Sequence, residues 1–181
     1  MRIYADNAAT TAMSPAAIAA MMPYLTEQYG NPSSLYVLGQ RAREAVENAR
    51  ETVARCIGAR AREITFTSGG SEADNQAILT AAAIGAKTGK RHIVSDAIEH
   101  HAVLHTLKKL EGQGFEVTLL PVHENGVVRP SEVAATIRDD TCLVTVMYAN
   151  NEIGTIQPIR ALCVNLLHCP CLSFSLSLII I

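Results

Sequence analysis

Apolar positions along this chain alternate between two patterns, helical three- and four-residue steps and short unbroken runs. Ser14-Pro15 opens a helical pattern through Met22, with Ser14 suited to the N-cap and Pro15 to the first helical position. The break Gly30-Asn31-Pro32-Ser33-Ser34 follows. From Gly39 to Ile57 the spacing predicts a long amphipathic helix, its apolar face marked by Ala42, Ala45, Val46, Ala49, Val53 and Cys56 and its end by Gly58. Residues 63–67 predict a strand, residues 68–71 a turn, and residues 72–86 a helix of small residues. Strands then follow at 92–95, 115–120 and 141–147, with helices at 100–113 and 130–138 between them and a turn at Asn125-Gly126. The last strand is almost wholly apolar, as a strand covered on both faces must be. Strands alternating with helices predict an α/β fold with a mostly parallel sheet and helices on both faces. Ligands of such sheets collect at the carboxyl ends of strands.

Composition sets the bounds of function. The chain has 181 residues, 49% hydrophobic and 18% charged, with a net charge of −2. That is globular, and it lacks the concentrated basic patch of a nucleic-acid binder. The start shows neither a secretory signal nor an Arg-rich leader, so a cytoplasmic setting is expected. Of the five cysteines, Cys56 and Cys142 fall in apolar periodic segments and are expected to be buried free thiols. Cys163, Cys169 and Cys171 crowd around His168, but Cys-x-Cys with Pro170 between is not a zinc pattern, and no metal site is expected.

Three segments at predicted strand ends carry candidate chemistry. In Thr67-Ser68-Gly69-Gly70-Ser71-Glu72-Ala73-Asp74-Asn75 a strand stops and a helix begins at once, so free N–H groups of Gly70 and Ser71, and the Ser71 hydroxyl, meet the positive helix end. That is an anion site suited to phosphate; a tight turn with a Ser cap reads equally well. The segment fits neither nucleotide-binding glycine motif. Glu99-His100-His101 follows the next strand, and an imidazole there can stack on a flat ring or move a proton; a surface His doublet is the plainer reading. Asn150-Asn151-Glu152-Ile153-Gly154 follows the 141–147 strand, where an Asn amide can donate to a phenolate oxygen or simply make a turn. Their order describes a pocket for a phosphorylated aromatic cofactor.

These stretches, with Tyr4-Ala5-Asp6-Asn7-Ala8-Ala9-Thr10-Thr11 and Gly30-Asn31-Pro32-Ser33-Ser34, resemble the cysteine desulfurases, the NifS/IscS-like group of class V aminotransferase-fold enzymes, in order and near-family spacing over residues 2–160. The resemblance implies a fold-type I large domain, here truncated, that binds pyridoxal phosphate and works as a homodimer. It implies that Gly70 and Ser71 hold the phosphate, that His100 stacks on the ring and helps move protons, and that Asn151 approaches the ring's phenolic oxygen. The implied reaction removes sulfur from L-cysteine, leaving alanine and an enzyme persulfide. That sulfur passes to an acceptor or scaffold protein for iron–sulfur cluster or thio-cofactor synthesis.

The chain departs from that pattern near its end. No Lys, Asp or Glu follows Arg160, and the last lysine is Lys109, outside any family motif. The lysine that anchors the cofactor and the cysteine that takes up sulfur are therefore expected to be missing and the chain inactive. Residues 1–160 are expected to be the family domain and 161–181 a non-family hydrophobic tail from a shifted reading frame. A membrane span is the poorer explanation, since Pro170 and the serines interrupt the run. Rival readings are a selenocysteine lyase or other class V fragment, a non-catalytic module that binds a partner, and a nucleotide-binding domain that would need the motifs this chain lacks.

Overall fold

The computed structural model describes residues 3–7, 9–166 and 173–177. The chain forms two compact units, one of residues 11–66 and one of residues 1–10 with 67–181.

The 11–66 unit holds α1 (Pro15–Thr26) and α2 (Val37–Ile57). Ser14 caps α1 as expected: its hydroxyl oxygen accepts the Ala17 N–H at 3.2 Å. Gly58 ends α2 at φ 69°, a left-handed conformation that costs a glycine little. Two expectations fail here. Cys56 is exposed rather than buried, because α2 buries Gly39, Ala42 and Ala54 and leaves the Val53–Cys56 side open. Residues 63–67 form no strand: a single 3-10 turn at Ala61–Glu63 leads into an unladdered segment. The Ile64 carbonyl accepts from the Arg50 guanidinium, which also lies 5.0 Å over the Phe66 ring. A strand needs a neighbour to ladder with, and among the described residues none stands beside this segment.

The other unit is the α/β sheet. Its elements are α3 (Gly70–Lys87), β1 (His92–Asp96), α4 (His101–Glu111), β2 (Glu116–Leu120), α5 (Pro130–Thr136), β3 (Thr141–Met147), α6 (Ile159–Leu166) and β4 (Ser173–Ser177). The pairings between these strands are all parallel, in the order β2-β1-β3-β4, with one isolated antiparallel bridge between Ala149 and Ile156. Alternation splits the core between the two faces. Ile93 and Leu143 meet Ile78, Ala81 and Ala82 of α3 and Val103, Leu107 and Leu110 of α4. Val94, Val144 and Val146 meet Val133 of α5 and Leu162 of α6 on the other face. The small residues of α3 have a packing reason: a Cβ on Gly85 would stand 2.4 Å from the Cβ of Cys142 on β3. His92 joins three strands, its Nδ1 bonded to Thr141 Oγ1 at 2.7 Å and its Nε2 to Thr118 Oγ1 at 2.9 Å. Helix α5 stops at Thr136, short of the expected 138: Ile137 turns extended, and Arg138 is drawn to Glu116 and Asp140 while its N–H donates to Thr141 Oγ1.

This order places a topological switch between β1 and β3. The chain leaves β1 for the α4 face and leaves β3 for the α6 face, so their carboxyl ends part to form a crevice.

Candidate functional site

A cavity of about 290 Å³ occupies that crevice, lined by residues 97–101, Leu104 and residues 150–153. It brings His100 and Asn151 together. Gly70 and Ser71 do not line it. They open α3, which is keyed to α4 by the Thr106 hydroxyl donating to Asn75 Oδ1 at 2.6 Å.

His100 is held by its own helix. As N-cap of α4, its Nδ1 accepts the Ala102 N–H at 3.1 Å. The neutral ring therefore carries its proton on Nε2, which has no protein partner among the described residues. His101 is exposed and lies beside His105, with ring centroids 5.6 Å apart.

The two asparagines have different duties. Asn150 is buried, and its Nδ2 donates to the Ile98 carbonyl at 2.9 Å. Its Oδ1 accepts the N–H groups of Glu152 at 2.9 Å and Ile153 at 3.0 Å. It ties the loop after β3 to the loop after β1 and closes a turn that needs Gly154 at φ 73°. Asn151 is exposed, and its side-chain amide makes no hydrogen bond among the described residues. The turn reading expected of the Asn150-Asn151 segment thus holds at Asn150, an Asn leading a turn toward a glycine.

Near the end of β1, buried carboxyls gather. Asp74 of α3, Asp96 of β1 and Glu99 are 8%, 0% and 5% exposed, and each has an oxygen without a protein partner. Burial, then the neighbouring Asp96, push the Glu99 carboxyl up to about 8, although the His100 N–H pulls it down. Burial pushes Asp96 up to about 6 against the N–H groups of Ile98 and Met147. Asp74 is likewise raised by burial, with His100 pulling the other way. No sequence signal marks this cluster, because its members converge only in three dimensions. Among the described residues no three His, Cys, Asp or Glu side chains are placed to hold a metal ion, and Cys169, Cys171 and His168 lie outside them.

The residues around the strand ends offer groups of the kind that hold a phosphorylated pyridine cofactor. The α3 end is open, with no heavy atom within 4 Å of where a Gly69 Cβ would stand. The turn already attracts an anion: Glu72 Oε2 accepts the Ser68 N–H at 2.7 Å and its hydroxyl at 2.6 Å. Those bonds hold the Glu72 carboxylate below its ordinary range. Anion donors, a ring nitrogen with a free proton and a free amide fit non-covalent holding. A covalent anchor does not: Lys108 sits eight residues along α4, about 12 Å from the His100 end, and Lys87 ends α3.

Comparison with known proteins agrees with this architecture. The family model for aminotransferase class-V matches residues 3–169. A cysteine desulfurase IscS of Methanosarcina thermophila is 54% identical over 158 residues, 87% of this chain and 39% of the relative. A putative cysteine desulfurase IscS 1 of Bacillus subtilis is 52% identical over 159 residues, 88% of this chain and 42% of the relative. Among solved structures, a NifS-like protein superposes with TM-score 0.93 and 39% identity, covering 97% of this chain and 48% of that one. The chain thus spans about two-fifths of the length of these curated relatives. No described helix is long and apolar enough to cross a membrane.

Proposed function

This chain belongs to the aminotransferase class-V family, whose cysteine desulfurases use pyridoxal phosphate, and we propose that it supplies the phosphate- and ring-binding portion of a cysteine desulfurase acting on L-cysteine. The observation that carries the reading is the crevice at the β1/β3 switch, where the His100 imidazole and the free Asn151 amide line one cavity. In this reading Gly70 and Ser71 turn their N–H groups toward the cofactor phosphate at the positive end of α3. The His100 ring, fixed by its bond to Ala102, covers one face of the pyridine and holds a proton on Nε2. The Asn151 Nδ2 donates to the phenolic oxygen. Asn150 keeps that amide in place through Ile98. Half-buried Ile98 and Leu104 give the cavity part of its apolar wall. The bound cofactor would supply an electron sink for bonds at the substrate α-carbon.

The same proposal extends to a homodimer that hands sulfur to an acceptor or scaffold protein in the cytoplasm. Exposed Ile18, Met21, Met22, Tyr24 and Leu25 on α1 support a covered surface there. With its lysines confined to positions 87, 90, 108 and 109, the chain alone holds the cofactor without turning over cysteine. The family match runs on to residue 169, and within 161–181 we place the departure from the family pattern, on the absence of every Lys, Asp and Glu after Arg160. Reading the DNA after the Cys163 codon in all frames tests that assignment, and a family lysine segment in a shifted frame is the expected result.

Calorimetric titration of the chain with pyridoxal phosphate tests the site. Binding at one site, weakened roughly tenfold each by His100→Ala and Asn151→Ala, is expected. Unchanged affinity in both variants would overturn it.

A further inference from the structure

Glu99 is the one wall residue of the β1/β3 cavity whose side chain is nine-tenths buried, acidic and short of a partner. Its Oε2 takes the His100 N–H at 3.3 Å, while its Oε1 has no hydrogen-bonding partner among the described residues. Ionisable groups face it from each packed element: Asp96 at the end of β1 and Asp74 on α3, both carboxyls, with His100 at the start of α4. His101 and Glu152 line the same cavity from its open side. Three carboxyls so enclosed cannot all be charged, and the one most strongly disfavoured as an anion keeps its proton.

We propose that Glu99 is a second hydrogen-bond donor of this pocket, a neutral carboxyl that presents its proton to an acceptor oxygen or nitrogen on the edge of a flat, anionic heteroaromatic ligand. The inference rests on the cofactor-site reading above but concerns a residue to which that reading gives no role. Its direction follows from charge. Below about pH 8 the neutral acid donates; above it the carboxylate appears and repels the same anion.

The experiment compares the full chain with Glu99→Gln, which keeps a donor and cannot ionise. Pyridoxal phosphate affinity is measured from pH 6 to 9.5, and the ratio of the two proteins' affinities cancels the ligand's own titration. The unaltered chain should lose about tenfold against the variant across that range. Infrared spectra with carboxyl-labelled glutamate supply a readout independent of ligand. At neutral pH the protonated-carboxyl stretch should move with the label and vanish in Glu99→Gln. The labelled spectrum of the unaltered chain stands by itself if the variant does not fold. A flat ratio, or no labelled protonated band at neutral pH, overturns the proposal. A labelled band with no pyridoxal phosphate binding in either protein would leave Glu99 protonated and refute the cofactor-site reading, and with it the ligand assigned here.

Discussion

Replacing Asn150 and Asn151 in turn separates the residue that builds the pocket from the residue left for its ligand. Asn150→Ala removes three hydrogen bonds, one to the Ile98 carbonyl and two from the Glu152 and Ile153 N–H groups. At roughly 1 kcal/mol for each net bond, the loss is about 3 kcal/mol. The half-buried Ile98 carbonyl loses its donor. Asn150→Asp keeps the acceptor for both N–H groups but sets a carboxylate oxygen against the Ile98 carbonyl. It should cost about 2 kcal/mol at neutral pH and less in acid, where the protonated oxygen donates again. Asn151→Ala removes an exposed amide that bonds to nothing and should change stability by less than about 0.5 kcal/mol. Urea unfolding followed by circular dichroism gives these differences. Near-native stability for Asn150→Ala together with a loss above about 1 kcal/mol for Asn151→Ala would refute the assignment of roles.

Glu99 and Asp96 are raised above their unfolded values, so the folded chain binds more protons between those values. The stability they contribute is complete only below about pH 3.8; it declines for Asp96 from there to about 6, and for Glu99 from about 4.5 to about 8. Glu99→Gln should flatten most of that decline in pH-dependent urea midpoints, an effect of up to about 5 kcal/mol. Gly85→Ala forces a methyl group onto Cys142 and should lower stability by about 1–3 kcal/mol in the same assay, since both atoms are fixed by backbone. Sulfide release from L-cysteine by the purified chain with added pyridoxal phosphate should stay at the no-protein level. Release well above that level would show that another group does the lysine's work.

β1 and β3 were legible because buried parallel strands announce themselves as short apolar runs, and with the half-exposed edge strand β2 they fall within a residue or so of their expected bounds, whereas β4 was not expected. Helix ends were legible where a cap marks them, at Ser14 and Gly58. The strand expected at 63–67 was misjudged because alternation reports a face to bury and says nothing of whether a neighbour exists to pair with. Cys56 was misjudged for a related reason: periodicity shows which side of a helix is apolar, and coverage depends on the rest of the molecule. His100 and Asn151 were singled out because strand ends mark ligand sites in this class of sheet, and both line the cavity beyond β1 and β3. The Asp74–Asp96–Glu99 cluster was out of reach, since residues so spaced meet only through the packing of α3 on the sheet.

Residue-resolved NMR of the chain during pyridoxal phosphate addition probes the central claim most directly. The account predicts that the amides of Gly70 and Ser71, the His100 ring and the Asn151 side chain shift together and saturate at one ligand concentration. Shifts confined to some other surface, or different saturation points for these four residues, would contradict it.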